Sequence, residues 1–182
     1  MYKREQTGNA LFFLLVLFIS ICVYDGFPGH IWAGSSSSFR PCMSSQDLRA
    51  QMISAVNSAR GQGRRCGSLF CRKAAPLAWN SSLANASYIH CLDMASHEIF
   101  SHTGSDGSSM EQRLEWAGYR ARAMGENLAM GQPDVVSAVK AWMKSPSHCA
   151  NIMLPVFTQM GASCVMDRAG RRYWSLVLAA PY

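Results

Sequence analysis

The sequence predicts an α+β domain, with helices through most of its length and an antiparallel sheet at its C-terminal end. Three observations carry that reading. From residue 44 to residue 60, Leu48, Met52, Ala55, Val56 and Ala59 recur at helical spacing, and from Asn80 to His97 so do Leu83, Ala86, His90 and Met94. Near the C-terminus the pattern changes to two strand-like runs, TQMGASCVM and RRYWSLVLA, joined by DRAG, which suits a hairpin. Helices first and strands last is the α+β order.

Each element has its own local signals. Lys3 and Arg4 precede an apolar run from Leu11 to Tyr24, the charge-then-apolar order of an export signal. The run is short for a membrane span, which needs about 20 apolar residues. HIWAG, with Ile31 and Ala33, fits a small-residue cleavage site, and GSSSS follows. Residues 1–33 are read as signal peptide and leader, 34–45 as a flexible linker, and 46–182 as the folded domain. An uncleaved N-terminal anchor is the alternative. Ile21 is too bulky for the residue before a lipidated cysteine, so Cys22 is not read as an acylation site. Ser44 and Asp47 can cap the first helix, and GQGRRCG ends it. Ser108 with Glu111 has the spacing of a capping box for a short helix ending at Gly118. Pro133 suits the first position of a further helix carrying Val135, Val136, Val139, Trp142 and Met143, which stops before Pro146.

Cysteine usage and charge narrow the function. Beyond residue 33 lie Cys42, Cys66, Cys71, Cys91, Cys149 and Cys164, with no C-x-x-C pair. An even count in an exported chain argues for disulfides, with no thiol left free. The net charge of +6 survives removal of the leader. Basic residues gather at Arg60, Arg64, Arg65, Arg72 and Lys73, and again at Arg168, Arg171 and Arg172, and are read as a solvated surface. No nucleic-acid motif is present, so nucleic acid is not an expected partner, and a membrane is expected to be met only through an uncleaved signal segment.

One short stretch imitates a metalloprotease. His97, Glu98 and His102 read H-E-x-x-x-H, one residue longer than the zinc-binding H-E-x-x-H. The extra residue turns the second histidine off the helical face of the first. His90 falls in an apolar stripe and reads as a core or groove residue. His102 in FSHTGSDG and His148 in SPSHCANIM fall among turn formers and are read as loop residues, where function concentrates. Glu126 lies in GEN, before an apolar segment. Asp106 reads as a turn former. No G-x-S-x-G elbow occurs.

The order of PLAWNSSLANAS, FSHTGSDG, RLEWAGY, GENLA, AWMKSPSHCANIM, FTQMGA and YWSLVLA resembles the CAP superfamily, the cysteine-rich secretory, antigen 5 and pathogenesis-related 1 proteins, and most of all its bacterial secreted branch. The resemblance covers about residues 46 to 180. It implies an α-β-α sandwich with a small antiparallel central sheet. It also implies a cleft with His102 and His148 as its two histidines and Glu126 as its first acid. The second acid of many relatives has no counterpart, since Lys144 and Ser145 stand there. Cys66 and Cys149 match cysteines of bacterial members and are expected to pair. On this reading His97 and Glu98 are not partners of His102.

Two imidazoles and one carboxylate are a ligand set for Zn²⁺ or another divalent metal, provided that they converge. The expectation is a secreted or periplasmic module that binds an envelope component, lipid or partner protein. The alternative is a metal-dependent, peptidase-like hydrolase using His102, Glu126 and His148.

Overall fold

The computed structural model describes residues 39–182. The expected signal segment, its cleavage near Gly34 and the start of the expected linker lie outside the described residues. Strand β1 (Arg40–Pro41) leads into helix α1 (Ser45–Arg60), a small hairpin of β2 (Arg64–Cys66) and β3 (Leu69–Cys71), and a short strand β4 (Ala78–Trp79). Helices α2 (Ser81–His97) and α3 (Met110–Trp116) come next, then strand β5 (Ala121–Met130), helices α4 (Val135–Lys144) and α5 (Pro146–Met153), and the closing pair β6 (Gln159–Met166) and β7 (Arg172–Pro181). The main sheet runs β1-β6-β7-β5, and β4 joins β6 in parallel.

The sheet is covered on both faces, which is why β6 and β7 read as nearly continuous apolar runs. Trp174, Leu176 and Leu178 of β7 pack with Met52 and Val56 of α1 and with Val139 and Trp142 of α4. The alternate residues Val177 and Ala179 meet Leu83 and Ala86 of α2 and Leu114 of α3. Further along α2, Cys91 and Met94 pack on Leu128, Val165 and Tyr173. These layers are the α-β-α sandwich. Gly161 on β6 allows α2 to lie directly on the strand, because a Cβ there would collide with the Ala84 amide.

The helix ends show where local signals hold and where they shift. Asn80 caps α2 through Ser82 N–H and Leu83 N–H, and the helix ends at His97 with Glu98 in the left-handed region at φ 52°. The capping box of α3 is Ser109 with Gln112, one residue later than expected, because Ser108 is buried and its carbonyl serves Arg113 and Gly104. Asp134, not Pro133, begins α4, by accepting from Ser137 N–H. Within residues 34–45, Arg40 pairs with Met166, Pro41 with Val165, Cys42 is bridged to Cys164 and Ser45 opens α1.

Cys66 is bridged to Cys149, as the resemblance implied. Cys71 and Cys91 are free, against the expectation of no free thiols. Cys91 is fully buried in α2, and burial pushes its thiol pKa up, so it packs as a small apolar group.

Arg60 is not part of a solvated patch. It is fully buried and donates to the carbonyls of Ala75, Ile152, Leu154 and Phe157 at 2.8, 2.6, 3.1 and 3.3 Å. It stitches the end of α1 to the segment before β4 and to the C-terminal end of α5 and the chain beyond it, and burial lowers its pKa. Arg60→Met should therefore destabilise the domain by roughly 2–4 kcal/mol, since buried carbonyls lose their donors, read as a drop in the urea midpoint. Thiol labelling of residues 39–182 should find two cysteines, Cys71 in the native protein and Cys91 only after unfolding. Four or six reactive thiols without reductant would contradict the bridges.

Candidate functional site

Glu126 and Asn127 are neighbours on β5, so their side chains leave opposite faces of the sheet. Both line the cavity that holds His102 and His148. Glu126 faces α2 and α3. Its side chain is 3% exposed, and it accepts from Arg113 Nη2 at 3.2 and 3.4 Å, from the Ser175 hydroxyl at 3.3 Å and from His102 Nδ1 at 2.9 Å. A buried carboxylate needs such partners. Asn127 faces α5, where its amide donates to the His148 carbonyl at 3.1 Å and its oxygen accepts from Asn151 at 2.9 Å. Gly125 makes that seat possible, because any side chain there would strike Asn151.

The loop holding His102 is pinned at several points. Arg113 donates from Nη2 to the His102 carbonyl at 3.1 Å and from Nη1 to the Ser108 carbonyl at 2.9 Å. His90, fully buried on α2, holds the Ser101 carbonyl through Nε2 at 2.9 Å. Asp93 accepts from Ser105 N–H at 2.8 Å, and Asp106 accepts from Ser108 N–H as an ordinary turn former. His102 thus presents Nδ1 to Glu126 and leaves Nε2 for the outside, with 61% of its side chain exposed.

His148 lies on α5 rather than in a loop, because Pro146 starts a helix there. It shares with His102, Glu126, Asn127, Ser147 and Asn151 an open cavity of about 420 Å³. His97 is elsewhere: its Nδ1 lies 3.0 Å from Asp93 and its side chain is 56% exposed. Glu98 pairs with Arg171 at 2.8 Å. The structure therefore brings His102 and Glu126 together, places His148 on the same cavity, and separates His97 and Glu98 from it.

The three histidines are tuned differently. The hydrogen bond to Glu126 raises the His102 pKa above its ordinary 6.5, against partial burial. Burial lowers that of His148, helped by the nearby His102 charge. Burial also lowers that of His90, although Glu126, 3.8 Å away, pulls the other way. Nδ1 of His90 has no partner, which fits a neutral ring with its proton on Nε2.

His102 and His148 open on the same cavity, and Glu126 lies beneath His102. Glu126 directs both oxygens to Arg113, Ser175 and His102 beneath the surface, and it counters a buried guanidinium. Among the described residues no group of three or more His, Cys, Asp or Glu could hold an ion. Glu126 holds the His102 ring from behind through the bond to Nδ1.

Sequence reasoning missed Arg113 and the part played by His90. Arg113 sits on a short helix amid polar residues and looks like a surface cation. The one available signal was a basic residue on the buried side of RLEW, beside Leu114. His90 had the right stripe, but its partner in the loop and its approach to Glu126 arise only on folding.

A three-layer α-β-α sandwich is the fold this chain shares with SCP-domain structures. The chain belongs to the cysteine-rich secretory protein (CAP) family, whose family model matches residues 53–178. YkwD of Bacillus subtilis, an uncharacterised protein, is 32% identical over 90 residues, which are 50% of this chain but only 35% of YkwD. An outer surface protein of Borrelia burgdorferi shares the fold with a TM-score of 0.66 at 15% identity, over 77% of this chain and 97% of that one. An extracellular SCP-domain protein of Bacillus anthracis gives 0.60 at 20% identity, over 75% and 44%. NaASP2, solved with Zn²⁺, gives 0.52 at 16% identity, over 74% and 80%.

Two outcomes follow from the geometry. Glu126→Ala should cost roughly 3–5 kcal/mol, because it strands the Arg113 charge in the interior, whereas His97→Ala should stay within about 0.5 kcal/mol. Thermal melts of both beside the parent decide it, and equal losses would refute the assignment. In proton NMR, His102 should titrate above 6.5 and His148 and His90 below it. The stability consequences have opposite signs. The His102 contribution is full below the unfolded histidine pKa and is lost as pH rises through its raised folded value. The His90 and His148 contributions are present above the unfolded value and are lost as pH falls below it and through their lowered folded values.

Proposed function

We propose that this CAP domain acts outside the cytoplasm, secreted or at the cell envelope, as a binding module whose cleft takes a polar or anionic ligand between His102 and His148. The observation that carries it is the saturation of Glu126. To act as the general base of a hydrolase, Glu126 itself would need a free oxygen able to receive a proton from water. Its carboxylate is committed to Arg113, Ser175 and His102 and acts as structural support. Above it the cavity is open, floored by amide groups of Asn127 and Asn151, with a His102 imidazole biased toward the cation. The two disulfides support an oxidising location, and the family includes an extracellular protein of similar fold. No helix among the described residues is long and apolar enough to cross a membrane.

The test separates binding from turnover. Purified protein is incubated with short peptides and with unfolded protein, with and without added Zn²⁺, while cleavage is followed by mass spectrometry. In parallel, the histidine ring signals are followed during titration with anionic envelope fragments. We expect the His102 and His148 signals to shift and no cleavage above that of a His102→Ala/His148→Ala variant. Turnover that depends on both histidines would overturn the binding reading in favour of a hydrolase.

A further inference from the structure

We propose that the β2–β3 hairpin is a peripheral membrane anchor, in which Leu69 and Phe70 enter an anionic bilayer surface and the surrounding cations engage its phosphate headgroups. This surface lies apart from the cleft, and the inference does not depend on what the cleft binds.

Two apolar side chains stand exposed at the turn of a short ribbon. Leu69 is 56% and Phe70 60% exposed, and being consecutive on β3 they project from opposite sides of the ribbon. The turn itself is Gly67 and Ser68, with Gly67 at φ 63°. The ribbon does not swing freely. Cys66 at its end is bridged to Cys149 of α5, and Cys71 packs against that bridge and Met153. The hairpin is thus pinned to α5 while Leu69 and Phe70 remain exposed.

The charge around them has one sign. Arg65, Arg72 and Lys73 are exposed on the ribbon and its exit. Arg64 lines a groove with Lys140 and Lys144 of α4, and its Nε is buried with no hydrogen-bond partner. From Leu48 to Leu92 the sequence has no Asp or Glu at all. An unbalanced basic rim calls for an anionic partner, and an exposed Leu-Phe pair calls for one with an apolar interior. A soluble polyanion would satisfy the cations and leave Leu69 and Phe70 wet. A bilayer with anionic headgroups satisfies both, through shallow apolar insertion and through attraction of several-fold per cation near the surface. An anchor this small attaches reversibly.

The experiment uses protein recovered after export from its expressing cells. It is sedimented with vesicles of phosphatidylcholine alone and of equal parts phosphatidylcholine and phosphatidylglycerol. Leu69→Ser/Phe70→Ser, Phe70→Asp and Arg65→Gln/Arg72→Gln/Lys73→Gln are compared with the parent and with Trp116→Ser, which removes an exposed aromatic elsewhere. Matching thermal melts confirm that each variant is folded. The parent should bind the mixed vesicles and scarcely the neutral ones. Both hairpin variants and the cation variant should lose about ten-fold or more in partitioning, and Trp116→Ser should bind as the parent does. A parent that ignores phosphatidylglycerol overturns the proposal. So do hairpin variants that bind as the parent does while the cation variant fails, which would make the surface a polyanion site.

Discussion

The structure of the site depends on one buried ion pair, Glu126 with Arg113. Each side chain is 3% exposed, and burying either charge alone would be prohibitive. Together they are nearly self-sufficient. Arg113 spends its remaining donors on the carbonyls of His102 and Ser108, and Glu126 spends its remaining capacity on Ser175 and His102. Strand β5, helix α3 and the loop after α2 are thereby tied at a single point. The cleft histidine is placed as a consequence, since its backbone is held by the guanidinium and its ring by the carboxylate.

The second histidine is placed from the other face of the same strand. Asn127 and Asn151 bond to each other, and Asn127 holds the His148 carbonyl. Arg60 holds the C-terminal end of α5 and the Cys66–Cys149 bridge holds its middle. The two cleft walls therefore belong to different layers of the sandwich and meet only where the sheet ends. That is why the histidines differ electrically. His102 has a carboxylate behind it, which raises its pKa, whereas burial and the neighbouring His102 charge lower that of His148.

Much of the fold was legible in the sequence, and for a uniform reason. Helices α1, α2 and α4 and strands β6 and β7 bury a regular set of side chains, so their periodicity is written in the residues. The motif order from PLAWN to YWSLVLA carried the family, with its sandwich and the pairing of Cys66 with Cys149. Elements with weak periodicity were not legible. Strand β5, as ARAMGENLAM, has a polar residue inward at Glu126 and another at Asn127. Its strand character comes from pairing with β7. The short α5 hides behind proline and serine, and the capping box of α3 slid by one residue because Ser108 was needed elsewhere.

What the sequence determined by itself was composition and local preference: which stretches are amphipathic, which residues are chemically able, and which family pattern they follow. It named His102, Glu126 and His148 as residues worth attention and set His97 and Glu98 aside. Tertiary structure alone decided their roles. It made Glu126 the counterion of a buried arginine, recruited His90 to hold the loop, left Cys71 and Cys91 unbridged, and turned Arg60 from a surface cation into an interior tie. The physical reason is that burial and charge pairing are properties of neighbours. A carboxylate becomes a ligand, a base or a strut according to which donors the fold brings within about 3 Å of it, and no local spacing records that.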